Sequence, residues 1–373
     1  MKGTNEKMKQ RNETFVVLSA IGILLILLGH LDFPLLSMGN LFLYYSFHVM
    51  LFAFISGYFY KPAEEEHIFS YLKRKCLHLL LPYFIWNVIY GILATHLHGF
   101  GMQIGENISL FNLFIAPFLS GHQFMYQASS WFVPALFLLE LCNIIGRKIM
   151  SLIKIRNEYV IMFLYLLVGL VAVYLAKRGS VYDYYKLPGR IMFLAPAFQF
   201  GRLYKEKLES KDTLPSYLYF LILFCLQFVI SFANYGRIGF SAVWVTGFSS
   251  SIFLPYLTTF TGIALWLRIA KELTPLLSKS RFVTYLGTHT FSVMMHHLLG
   301  FFLVNCVFSL LSTTKEAFAE FDRTLFTTDI YYVYLPYGML EIKWLYLAVG
   351  LALPLLLSLA GDKIKTRLKT SHP

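Results

Sequence analysis

The chain has 373 residues, 57% of them hydrophobic and only 14% charged, with a mean hydropathy of +0.60. An ordinary soluble domain holds about 45–50% apolar and about 25% charged residues, so a soluble enzyme, a disordered chain and a fibrous repeat are excluded. What remains is an integral membrane protein, and the net charge of +12 has to be read in that setting.

A bilayer core about 30 Å thick takes roughly 20 helical residues. In chain order, apolar stretches of about that length fall at about 14–31, 41–60, 77–97, 130–146, 159–176, 189–204, 214–234, 242–267, 288–312 and 344–361. The pattern predicts an all-α, polytopic transmembrane protein of about ten spans. It reads as one membrane domain over 1–373, with short tails at about 1–13 and 362–373. A further apolar piece, about 108–120, is too short to cross and reads as an interfacial or re-entrant segment. The first apolar run ends in Gly29-His30-Leu31-Asp32 without a small-residue cleavage site, so no removable signal peptide is expected. The sequence shows no internal repeat of the kind that marks many transporters.

Basic residues set the orientation. Alternate segments carry Lys2, Lys7, Lys9 and Arg11, then Lys61 and Lys73 to Lys75, then Arg147, Lys148, Lys154 and Arg156. The same side takes Arg202, Lys205, Lys207 and Lys211, then Arg268, Lys271, Lys279 and Arg281, then Lys363, Lys365, Arg367 and Lys369. That places 24 of the 32 cations on one side and leaves eight, Lys177, Arg178, Lys186, Arg190, Arg237, Lys315, Arg323 and Lys343, on the other. Both termini are therefore expected in the cytoplasm, with the protein in the inner (cytoplasmic) membrane. The charge is read as an orientation signal with attraction to anionic lipid, and no nucleic-acid partner is expected. Lys73-Arg74-Lys75 has a second reading, as a phosphate-binding site for a cytoplasmic cofactor. Cys76, Cys142, Cys225 and Cys306 form neither a metal-ligand spacing nor a disulfide framework, and no metal is expected.

Function has to be sought in the polar residues that a membrane makes expensive. His30 ends the first span, His48 is placed about two turns inside the second, and His296 and His297 lie in the ninth. All four are expected near one central cavity. Histidine suits acyl transfer because its ordinary pKa of about 6.5 lets it take and return a proton near neutrality. Zinc is the competing use of clustered histidines, but no His-Glu-x-x-His or Cys-His spacing supports it. Glu140, mid-span, must be paired or protonated, and either orients a histidine or serves a structural partner. Ser56 follows His48 as possible support, and Gly57 reads as a close helix-packing point. The longer outward segments, about 98–129 and 313–343, carry aromatics including Tyr331. These suit either the mouth of a sugar site or ordinary interfacial anchoring.

Several segments together resemble a known family. Phe47-His48-Val49-Met50-Leu51-Phe52, followed by Ser56-Gly57-Tyr58, is similar to the second-helix signature of the acyltransferase-3 family. Gly29-His30 at the end of the first span, Leu81-Pro82-Tyr83-Phe84-Ile85-Trp86 and Trp131-Phe132-Val133-Pro134 also resemble its motifs. So do Phe198-Gln199-Phe200-Gly201 and the Gly287-to-His297 segment, all in the expected order. The resemblance implies an O-acyltransferase that moves an acyl group, most often acetyl, from cytoplasmic acyl-coenzyme A as co-substrate. The implied acceptor is a hydroxyl of a cell-surface glycan (exopolysaccharide or O-antigen) or a lipid-linked sugar. His30 and His48 are then the catalytic candidates, with His296, His297, Ser56 and Glu140 in support. Direct transfer and a covalent acyl-histidine are both compatible with this. One position departs from the family pattern: the first-span cation is replaced by Ser19, and Lys73, Arg74, Lys75 and Arg190 are the candidates to hold the donor instead. No soluble domain is expected, so any extracytoplasmic partner protein would be another chain. A sugar transporter or flippase is the alternative reading.

Overall fold

The computed structural model describes residues 12–181, 183–248 and 251–370; the N-terminal cations Lys2, Lys7, Lys9 and Arg11 lie outside the described residues. The chain forms helices α1 (Glu13–His30), α2 (His48–Phe59), α3 (Ile68–Lys75), α4 (Leu81–His98), α5 (Leu110–Phe114), α6 (Phe132–Leu152) and α7 (Glu158–Lys177). These are followed by α8 (Lys186–Leu203), α9 (Ser216–Ala233), α10 (Leu254–Leu277), α11 (Arg281–Thr288), α12 (Thr290–Leu311), α13 (Arg323–Thr328) and α14 (Ile342–Thr370). Among the described residues there is no β-strand, only an isolated bridge between Ser241 and Thr246.

Each of the ten apolar stretches contains a helix, and seven helical segments are long and apolar enough to cross a membrane. The other three fail for visible reasons. α2 has only 12 residues, α8 is diluted by Lys186, Arg190, Gln199 and Arg202, and α10 carries several threonines besides Arg268, Lys271 and Glu272. Two expected spans start later than the hydrophobicity suggested. His48 is the first residue of α2 rather than two turns inside it, because residues 38–40 adopt left-handed φ values and 44–46 form a separate 3₁₀ turn. Likewise α10 begins at Leu254, one residue before Pro255. Glycines at 236, 239 and 247 punctuate the preceding loop, which carries left-handed φ at Tyr235 and Val245. The 108–120 piece folds as α5 and a short 3₁₀ turn, and the buried Asn87 amide donates to the Leu113 carbonyl at 2.7 Å. That satisfies irregular backbone inside protein rather than in lipid.

α1, α12 and the segment around α6 are enclosed, whereas α4, α7, α9 and α14 present apolar outer faces, such as Phe228 and Phe232. The tightest crossing joins α2 and α8. A Cβ on Gly57 would collide with the Phe198 carbonyl oxygen, and one on Gly201 with the Phe54 carbonyl, so each helix meets the other's backbone directly.

Contacts define two ends of the bundle. At one, Asn12 donates to the Tyr58 hydroxyl, which donates in turn to Glu209. Nearby, Gly287 of α11 lies against the Val16 carbonyl, and Asp362 of α14 pairs with His289 at 3.2 Å. The start of α1 and the end of α14 therefore meet around α11. Arg147 bridges Glu65 and Glu158 at 2.9 and 2.7 Å, tying the loop after α2 to α6 and α7. At the opposite end, Lys343 donates to the Asp32 carbonyl at 2.7 Å, tying α14 to the end of α1.

Candidate active site

α1 delivers His30 as its last residue, and the turn that follows holds the chain back across the helix end. Tyr45 donates from its hydroxyl to the Gly29 carbonyl at 2.7 Å, and its ring stands edge-on to His48 at 5.2 Å. A cavity of about 280 Å³ runs along α1 from Ser19 to His30. That is about 16 Å of helix at 1.5 Å per residue. Ser19, Ile55, Ser56 and Leu79 line one end, while His30, Tyr45, His48, Ser129, Trp131 and Ser241 to Val243 line the other. None of the residues lining it is Asp, Glu, Lys or Arg.

The hydrogen bonds fix where the protons sit in the neutral histidines. His297 Nδ1 lies 2.8 Å from the Val293 carbonyl, which can only accept, so Nδ1 carries the hydrogen and Nε2 the lone pair. His30 Nδ1 lies 2.7 Å from that Nε2 and therefore donates to it. This leaves His30 Nε2 unprotonated. Ser129 Oγ approaches the same His297 nitrogen at 3.4 Å, and the His30 and His297 rings lie nearly coplanar, edge to edge, with centroids 5.0 Å apart. His48 Nδ1 donates to the Tyr44 carbonyl at 2.6 Å, so its Nε2 also carries a lone pair. A pair of basic nitrogens stands at one end of a cavity with no charged side chain in its wall, one of them backed by a second imidazole.

The other sequence candidates are placed as follows. His296 does not join its neighbour: consecutive helical residues point about 100° apart, and its ring lies between Trp86 at 4.1 Å and the Tyr90 hydroxyl at 2.7 Å. Ser56 lines the far end of the cavity, opposite the histidines. Glu140 is buried and pairs with Lys75 at 2.6 Å rather than with a histidine. Arg74 pairs with Glu64 at 2.8 Å, and Lys73 is exposed with no ion pair among the described residues. Ser19 donates to the Phe15 carbonyl of its own helix at 2.7 Å. Arg190 lies at the histidine end, with its guanidinium over the Trp131 ring at 4.4 Å. The sequence had not singled out Ser129 or Tyr45. A Ser129-Ser130 pair just before an apolar helix was the available signal for the first. For Tyr45 there was none, because an aromatic in a run of aromatics carries no address. Tyr331, from the long segment after α12, lies with its ring 5.6 Å from His30. Among the described residues no group of three or more His, Cys, Asp or Glu side chains is placed to hold a metal ion.

A family model described as an acyltransferase domain matches residues 17–361. The chain belongs to the acyltransferase-3 family. No match was found among curated proteins or among solved structures. With the apolar helices this makes the protein a multi-pass membrane acyltransferase. For an acyltransferase the histidine end of the cavity has the right chemistry. An unprotonated imidazole can accept a hydroxyl proton as the hydroxyl attacks, and a second imidazole holds the first in the productive tautomer.

Proposed function

We propose that this acyltransferase moves an acyl group, most often acetyl, from cytoplasmic acyl-coenzyme A to a hydroxyl of a cell-surface or lipid-linked glycan. The observation that carries the reading is the His30–His297 hydrogen bond, which leaves His30 Nε2 as a free base at the cavity end. The hydroxyl oxygen attacks the thioester carbonyl carbon while His30 Nε2 takes the hydroxyl proton. The carbon–sulfur bond then breaks, and the protonated His30 returns that proton to the leaving thiolate, giving an ester and free thiol. His48, with its own lone pair at Nε2, accepts a hydrogen bond from a neighbouring hydroxyl of the acceptor and so orients the sugar.

The same geometry supports a membrane placement. The end that gathers the start of α1, the end of α14 and the cationic loops is read as cytoplasmic, in agreement with the charge bias, with ten spans and both termini inside. Leu79 of the cavity wall lies just beyond the 73–75 cluster in the chain, so the cavity's far end lies toward that side. The donor's charged nucleotide stays at that end, with Lys73 free to meet phosphate. Only its uncharged arm enters a cavity whose polar groups are all neutral. The acceptor arrives from the opposite side, under Tyr331.

The test uses the purified full chain, in detergent micelles for incorporation and reconstituted into vesicles for uptake, with radiolabelled acetyl-coenzyme A and a glycan extract. The expected result is label in the glycan, cut about 10²- to 10⁴-fold by His30→Ala and His48→Ala with thermal stability retained. Full incorporation by both variants overturns the assignment, and vesicle uptake without incorporation turns the reading to transport.

A further inference from the structure

Behind the cavity wall at the histidine end lies a buried cation that the proposed chemistry leaves unused. Arg190 sits in the second turn of α8 and is 1% exposed. Its Nε donates to the Val243 carbonyl at 2.7 Å and Nη1 to the Ser120 carbonyl at 2.9 Å. Its Nη2 is buried with no hydrogen-bond partner, and among the described residues no carboxylate lies within ion-pair distance. A buried guanidinium held by two neutral carbonyls and an aromatic face, with no anion beside it, retains much of its desolvation cost. A cation near a helix N-terminus is also on the unfavourable side of the helix dipole. His122, which shares the Ser120 carbonyl, brings no compensation: burial, and then the charge of Arg190, push its imidazole down to about 3. Two of the groups that Arg190 touches, Trp131 and Val243, are part of the cavity wall.

We propose that Arg190 anchors an anionic group of the glycan acceptor, a carboxylate or phosphate, beside a sugar ring resting against Trp131. This rests on the reading that the histidine end receives the acceptor. It adds the substrate class: an acidic glycan rather than a neutral one. The same anion chemistry is also present in the donor's phosphates, and the experiment separates the two sources.

Thermal unfolding of the full chain in detergent is followed while D-glucuronate, D-glucose or coenzyme A is titrated in separate arms. In the wild type, glucuronate is expected to raise the melting temperature saturably, and glucose at equal concentration is not. Arg190→Gln is expected to lose at least tenfold in apparent glucuronate affinity and to keep its response to coenzyme A. Arg190→Lys, which keeps the charge without the planar fork, is expected to fall between them. An equal response to glucose and glucuronate overturns the proposal, and this arm needs no variant to fold. So does an Arg190→Gln protein that loses coenzyme A instead, since the anion site would then belong to the donor. Because no arm measures acyl transfer, a failure here leaves the acyltransferase reading standing, and loss of transfer in the histidine variants does not touch this result.

Discussion

Lys75→Met removes an ammonium that stands 2.6 Å from Glu140, and it decides between two uses of that lysine. If Lys75 holds the donor's phosphates, the variant loses donor affinity and keeps its stability. The structure argues for the opposite. The Glu140 side chain is 3% exposed, Lys75 provides its hydrogen bond, and its second oxygen has no partner. Breaking a buried pair from one side costs about 3–5 kcal/mol. Glu140 can limit that loss by taking up a proton, which at pH 7 costs about 4 kcal/mol from an ordinary Glu pKa of about 4.3. Lys75 is itself 31% exposed, so water reaches the stranded carboxylate and the lower part of the range applies, about 3 kcal/mol. The proton route also fixes the sign with pH. At pH 5.5 protonation costs only about 2 kcal/mol, so the deficit of the variant shrinks as the solution is acidified. Lys75→Met/Glu140→Leu, which removes both charges, is expected to recover most of the loss. The assay is equilibrium unfolding of the full chain in mixed detergent at the two pH values, with coenzyme A affinity measured alongside. A Lys75→Met protein as stable as the parent with weakened coenzyme A binding refutes the reasoning. So does a double variant no more stable than the single one.

Three further outcomes can be checked by unfolding alone. Gly57→Ala drives a methyl into the Phe198 carbonyl of α8 and is expected to cost about 3 kcal/mol. Gly146→Ala, whose methyl would meet nothing within 4 Å inside α6, is expected to be neutral or stabilising by up to about 1 kcal/mol. For His122, burial first and Arg190 second hold the folded imidazole at about 3, below its ordinary value of about 6.5. The unfolded chain therefore binds the extra proton first, and stability falls as the pH drops from about 6.5 toward 3. His122→Gln is expected to flatten the melting temperature against pH between 7 and 4. An unchanged slope would show that the imidazole is not held neutral.

How far the sequence could be read follows from which forces act locally. Helix content and the packing role of Gly57 were legible because hydrophobic run length and the absence of a side chain are properties of single segments. The starts of α2 and α10 were not, since residues 41–47 and 242–248 read as apolar and only the backbone, left-handed at 38–40, Val245 and Gly247 and extended at Leu43, sets them apart from a helix. His30 and His48 stood out because ionisable groups are rare in such text, and the structure lines one cavity with both. The division between His296 and His297 was not visible: adjacent residues of one type are equivalent until the helix is turned against its neighbours. Glu140 was legible as a group that needs a partner. That the partner would be Lys75, 65 positions earlier, needed the contact between α3 and α6.

The hydrogen bond between His30 and His297 also limits how many protons the site can hold and still work. In the neutral pair His30 donates from Nδ1 and His297 accepts at Nε2. One added proton, on His30 Nε2, leaves that bond intact. A second has only His297 Nε2 to occupy, and it would turn the acceptor into a donor facing another donor. The capacity of the pair is thus one proton, which matches a reaction that moves one proton from a hydroxyl to a thiolate. With that proton already in place His30 has no lone pair to offer the hydroxyl, so the transfer proposed through His30 has to fail on the acid side of its pH profile. Replacing His297 by a residue that cannot accept frees His30 to change tautomer and present a protonated Nε2 to the hydroxyl. The second imidazole therefore acts on the reaction through the tautomer of the first.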